Sequence, residues 1–166
     1  MRYASALVAL LALAGCSPEL DWRELKSDAG RFAVLMPAKF QHQARTLAAN
    51  PGNAMHLWST RAADSVFGVG YTDYPAGTAV PIERTTQDLV GNILGTITSS
   101  REARLGERAS GRRFSAEGAV AGQPRVLHAL LLQSDRRLYR VMVIAPKGRI
   151  DAAEFEMFLD SFKLLP

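Results

Sequence analysis

The chain predicts an α+β fold: an antiparallel β-sheet of about six to seven strands with two helices packed on it. Three observations carry this. Short runs rich in β-branched and aromatic residues recur along the sequence, several with period-two alternation. Consecutive runs are joined by turn-sized polar intervals, which bring a strand back antiparallel to its neighbour. Two segments break this pattern with apolar residues three and four apart, the spacing of one helix face.

In chain order, residues 30–37 (GRFAVLMP) read as a strand opened by a turn glycine and stopped by proline. A polar stretch containing Asn50-Pro51-Gly52-Asn53 reads as a loop. Residues 55–61 and 66–74 are two strands joined by a short turn. In the second, Phe67, Val69 and Tyr71 share one face, while Gly68 and Gly70 on the other suit close approach of something packed over them. After Pro75 and a loop, Thr85-Thr86-Gln87-Asp88 matches a capping box. The apolar stripe that follows is Leu89, Val90, Ile93, Leu94 and Ile97. Within that helix, the Gly91-x-x-x-Gly95 spacing points to close packing of helix on sheet rather than to a membrane dimer motif.

Residues 101–118 are basic and punctuated by glycine, and read as two exposed strands. Residues 125–133 are apolar on both alternating faces, which marks a central strand covered on both sides. Residues 138–145 form another strand. A last helix starts at Asp151, with Glu154 three residues on, and buries Phe155, Phe158, Leu159 and Phe162.

The N-terminus has a different character. Arg2 precedes about ten mostly apolar residues, too short a run to span a bilayer, which takes roughly 20. The layout is that of a secretory signal. It ends at Leu13-Ala14-Gly15-Cys16, which holds the single cysteine of 166 residues. These four residues resemble the lipobox of bacterial lipoproteins. The resemblance implies cleavage between Gly15 and Cys16 and lipidation of Cys16, whose thiolate is the soft nucleophile that thioether formation needs. Several acyl chains anchor stably, each buried CH₂ contributing about 0.8 kcal/mol. The expected organisation is a signal peptide over residues 1–15, the lipidated cysteine and a short linker over 16–21, and one α+β domain over 22–166. By the same resemblance, Ser17 after the cysteine suits the outer membrane, facing the periplasm, in a Gram-negative host.

Composition narrows the function classes. The formal net charge of +4 permits contact with anionic headgroups or an acidic envelope partner without demanding nucleic acid. With Cys16 lipidated, no thiol remains for a disulfide, so stability rests on burial, which 48% apolar residues can supply.

Three stretches carry a second resemblance: GRFAVLMP, FGVGYTDYP, and LYRVMVIAP followed by FEMFLDSFKLL. Together with the order of elements they resemble the PsbP-like family, which includes DcrB-like bacterial lipoproteins, an extrinsic photosystem subunit and a nuclear-transport factor. The resemblance implies a non-enzymatic binding or accessory domain, and it transfers no functional residue.

Residue by residue, chemistry is sparse. His42, His56 and His128 show no metal-ligand spacing, and His128 reads as a hydrogen-bonded histidine of the central strand. No G-x-S-x-G or S-x-x-K motif occurs, and Gly68-Val69-Gly70 lies in a strand rather than a phosphate loop. No cofactor, metal or catalytic residue is assigned. The densest charge is SREARLGERASGRR, with Arg101, Arg104, Arg108, Arg112 and Arg113. These arginines are either a solvated strand pair that resists edge-to-edge aggregation or a contact surface for anionic lipid or an acidic partner. No aromatics interleave them, which argues against single-stranded nucleic acid. The expectation is a monomeric, non-catalytic envelope domain held at the membrane by its N-terminal lipid. The alternative is a small envelope hydrolase with a scattered site, which a concave pocket of convergent polar groups would favour.

Overall fold

The computed structural model describes residues 20–47 and 50–166. The expected leader, Gly15, Cys16 and Ser17 lie outside the described residues. Twelve elements follow one another: β1 (Arg23–Ser27), β2 (Phe32–Met36), β3 (Gln41–Leu47), β4 (Asn50–Ala62), β5 (Ser65–Asp73), α1 (Ile82–Gly91), β6 (Thr96–Leu105), β7 (Ala109–Val120), β8 (Gln123–Ser134), β9 (Arg137–Pro146), α2 (Ala152–Asp160) and β10 (Lys163–Leu164). The fold class is α+β as expected. A seven-stranded antiparallel sheet runs in the order β3-β4-β5-β9-β8-β7-β6, and a second sheet of three strands, β1-β2-β10, adds to it.

The large sheet consists of two meanders joined where β5 pairs with β9. Its tight hairpins have the turn chemistry they need. Ala63-Asp64 and Ala121-Gly122 place both central residues at positive φ, the backbone twist that matches flanking strands. As its double apolar face required, β8 lies between β7 and β9.

One face of the large sheet is covered by α2 and the small sheet. Phe67, Val69, Leu130, Leu132, Val141 and Val143 pack there against Phe32, Val34, Met36, Phe158 and Phe162. Tyr139 Oη donates to the Gly30 carbonyl at 2.9 Å, tying the two sheets together. The capping box on α2 is complete, with Asp151 accepting from Ala153 N and Glu154 reaching back to Asp151 N. The opposite face carries α1, which lies over β7 and β8 through Leu89, Ile93, Phe114, Ala116, Leu127, Ala129 and Leu131.

Several expectations need correction. Helix α1 begins at Ile82 with Pro81 at its N-cap and no side-chain cap, so Thr85-Thr86-Gln87-Asp88 lies inside it. The hydroxyl of Thr86 donates to the Ile82 carbonyl at 2.9 Å, so it serves the helix interior and not a start. Leu94, at φ 48°, leaves the helix and is 85% exposed, and Ile97 belongs to β6. Only Gly95 of the glycine pair is crowded. A Cβ there would meet the Glu117 carbonyl oxygen at 2.9 Å, whereas Gly91 faces open space.

Residues 50–53 continue β4 instead of forming a loop. Pairing with β5 starts only at Met55, so this end of β4 has a single neighbour, β3, where a proline is tolerated. Strand β7 is half-buried rather than exposed, because Phe114 and Ala116 sit under α1. β1, β3 and β10 have no counterpart in the sequence reading.

Candidate functional site

Because α1 lies over β7 and β8, a groove is left beside it over β4 and β9, with the β5 residues between them buried by neighbouring side chains. Gly68 and Gly70 keep its floor low. A Cβ on Gly70 would fall 2.3 Å from the His56 carbonyl oxygen, so nothing larger fits, and one on Gly68 would touch Met142 Cε at 3.1 Å. No element lies over these glycines, contrary to expectation; the side chains of Met142 and Leu57 lean in from either side. The result is a groove of about 730 Å³, within the usual size of small-ligand sites. Its floor is Met55 and Leu57 of β4 with Arg140 and Met142 of β9; its walls are α1, from Arg84 to Asn92, and the loop from Tyr74 to Pro81.

Arg140 is the unusual member. It sits mid-strand opposite Gly70 and Leu131, between apolar side chains, where burial pushes its pKa down while Tyr74 and Asp88 pull the other way. Sequence reading passed over it inside LYRVMVIAP. The available signal was an arginine taking an alternation position between Leu138 and Met142.

The opposite face holds all three histidines. His128 Nδ1 and Ser115 Oγ are hydrogen-bonded at 2.7 Å, and the ring stacks on Phe155 of α2 with centroids 3.6 Å apart. This is the structural histidine expected. Burial lowers its pKa, Glu156 opposes that shift and Arg113 adds to it. At the β3 end, His42 Nε2 and His56 Nδ1 lie 3.2 Å apart with rings nearly parallel. His42 stacks on Trp58 and His56 on Tyr71. Arg137 covers the Tyr71 ring at 4.2 Å and grips Asp73 through Nε and Nη2. The sequence hid this row, since it depends on the β3–β4 register. Among the described residues, no group of three or more His, Cys, Asp or Glu could hold a metal ion.

The five arginines singled out in the sequence do not form one surface. Arg113, its side chain 13% exposed, pairs with Glu156 and Asp160 of α2. Arg112 points to the other face and pairs with Glu83 of α1 at 2.9 Å. Arg108 donates to the carbonyls of Leu164 and Leu165, the latter at 2.5 Å. Arg104 is solvent-exposed and 3.9 Å from Glu102. Arg101 is exposed on the edge strand opposite Arg113.

No family model matches the chain, and no curated protein matches it. Among solved structures it is similar to cyanobacterial PsbP (CyanoP) from Synechocystis sp. PCC 6803. That solution structure aligns with a TM-score of 0.55 at 11% sequence identity, covering 93% of this chain and 98% of that chain. The chain has the PsbP-like fold.

Proposed function

We propose that this PsbP-like chain is a lipid-anchored accessory domain of the cell envelope that binds a ligand or partner without converting it. The observation that carries the binding reading is the groove beside α1. It presents two guanidinium groups, one carboxylate, a phenol and apolar walls, a set that can hold an amphiphilic molecule. The described histidines, the usual general bases, are on the other side of the sheet. Support for the anchor is the Leu13-Ala14-Gly15-Cys16 string and the position of the lone cysteine at the end of an apolar leader. Buried packing starts by Leu20, and Asp21 N donates to the Pro37 carbonyl at 2.7 Å. The domain would therefore be held within a few residues of the membrane, which raises its effective concentration toward membrane-bound partners. Under this reading exposed Arg101 and Arg104 of the basic stretch would be the ones to meet anionic headgroups.

Mass spectrometry of the isolated protein tests the anchor. The expected species begins at an acylated Cys16, and Cys16→Ser should leave the membrane fraction or remain unprocessed. An intact Met1 or a free thiol on a mature chain overturns the anchor. Esterase or peptidase turnover by the purified protein overturns the non-catalytic assignment.

A further inference from the structure

Two buried side-chain polar atoms among the described residues lack a hydrogen-bond partner, Arg140 Nε and Thr72 Oγ1. Both belong to the α1 face of the sheet. Arg140 stands opposite Gly70 of β5, and Thr72 is two residues further along that strand, which makes them diagonal neighbours. Buried polar groups without partners are rare, and each one calls for a reason. The contacts Arg140 does make are thin compensation. Its Nη1 points at Met55 Sδ, a weak acceptor, and Tyr74 provides a side-chain hydrogen bond. The carboxylate whose field reaches it, Asp88, forms no ion pair with it.

A desolvated cation whose Nε has no acceptor and whose Nη1 has only a thioether is costly unless an anion completes it. We propose that the groove takes a long-chain monocarboxylate. Its carboxylate pairs with the Arg140 guanidinium, and its alkyl chain lies along Met55, Leu57, Leu89 and Met142. The planar guanidinium matches a carboxylate in bidentate geometry. The groove's charges, Arg84 and Arg140 against Asp88, leave a surplus of one positive charge. A monoanion neutralises that surplus, whereas a dianionic phosphate would bring an unmatched negative charge toward Asp88. Unbranched, adaptable methionines suit a flexible chain. The inference rests on the binding reading of the groove and adds the class of ligand.

Photolabelling of the full chain in phosphatidylcholine vesicles tests it. The probes are a diazirine-bearing hexadecanoic acid, the corresponding alcohol and the corresponding alkyl phosphate, at equal membrane concentration. The acid should label peptides containing Leu57, Leu89 or Met142 about tenfold more than the alcohol, the factor that ~1.4 kcal/mol of charge-assisted pairing gives. Unlabelled hexadecanoic acid should compete the label away. Arg140→Met should bring acid and alcohol to parity, and Arg140→Lys should keep part of the preference. The unliganded Arg140→Met protein should melt no lower than wild type, because an apolar side chain replaces an unpaired charge. Equal labelling by acid and alcohol in wild type, stronger labelling by the phosphate, or a lower melting temperature of Arg140→Met would each overturn the proposal. The N-terminal mass is read on the same sample, so failure of the anchor and failure of the groove are separate results.

Discussion

The two faces of the seven-stranded sheet are built from the same strands and end in opposite states. On the face covered by α2 and the small sheet, Phe32, Phe67, Phe158 and Phe162 interlock, with edge-on and stacked ring pairs 5.2–5.6 Å apart. Little there is free to respond to a ligand. On the α1 face, one ten-residue helix lies over two strands and leaves a groove beside it, and on that face lie the buried Arg140 Nε and Thr72 Oγ1, neither with a hydrogen-bond partner. The difference follows from side-chain size at alternating positions of β5. Phe67, Val69 and Tyr71 fill one side, while Gly68, Gly70 and Thr72 leave the other hollow. One strand thus carries the centre of the core on one side and, on the other, the small residues between the β4 and β9 side chains that line the groove.

That contrast can be broken most forcefully at Phe67, which is fully buried against Trp22 and Phe158. Phe67→Ala should lower the unfolding free energy by about 3–5 kcal/mol, whereas Met142→Ala on the groove face should cost about 1 kcal/mol or less. Denaturant melts of the two variants read the difference, and equal midpoints would mean that both faces are equally packed.

A smaller effect separates the arginines. Arg113 bridges two carboxylates of α2 from a nearly buried position, so Arg113→Ala should cost about 1–2 kcal/mol, mostly by loosening α2. Arg101→Ala should stay within about 0.5 kcal/mol of wild type. Similar melts for both would return Arg113 to the solvated stretch from which the sequence could not distinguish it.

The gentlest test uses pH. The folded state holds His128 with a lowered pKa, burial being the main cause. The unfolded chain therefore takes up a proton first as pH falls through the usual histidine value of 6.5. Stability is complete above that value and declines below it, until the folded-state pKa is reached. His128→Phe should flatten this decline between pH 7 and pH 5, read as the difference in melting temperature at the two pH values. A variant whose slope matches wild type would show that other groups govern it.

The parts of the fold that were legible are those where one residue pattern has one structural reading. The α2 capping box, the double apolar face of β8 and the short hairpins are of this kind. Helix α1 was misplaced because Thr85 and Asp88 fit a capping pattern while Pro81, with Glu83 in the first turn, already supplied a start. Strand β3 was missed because its residues are polar on both faces, as an exposed edge strand allows. The groove could not be read at all, since an uncovered sheet face depends on how far a helix reaches. The arginines misled for a related reason: adjacent Arg112 and Arg113 look like one patch in sequence, yet a strand sends them to opposite faces.

The joining of the two meanders bears on how the chain reaches this state. Every other pairing in the large sheet is a hairpin between consecutive strands, so its ends meet early. Only β5 and β9 must find each other across α1 and the whole second meander. Near the mouth of that closure Asp73 meets Arg137, 64 residues apart along the chain. Closing such a loop costs on the order of 4 kcal/mol of chain entropy before any long-range contact repays it. At that point the protein has placed its bidentate ion pair and the Arg137–Tyr71 ring contact. A bidentate ion pair is thus located where the search for the partner strand has to end.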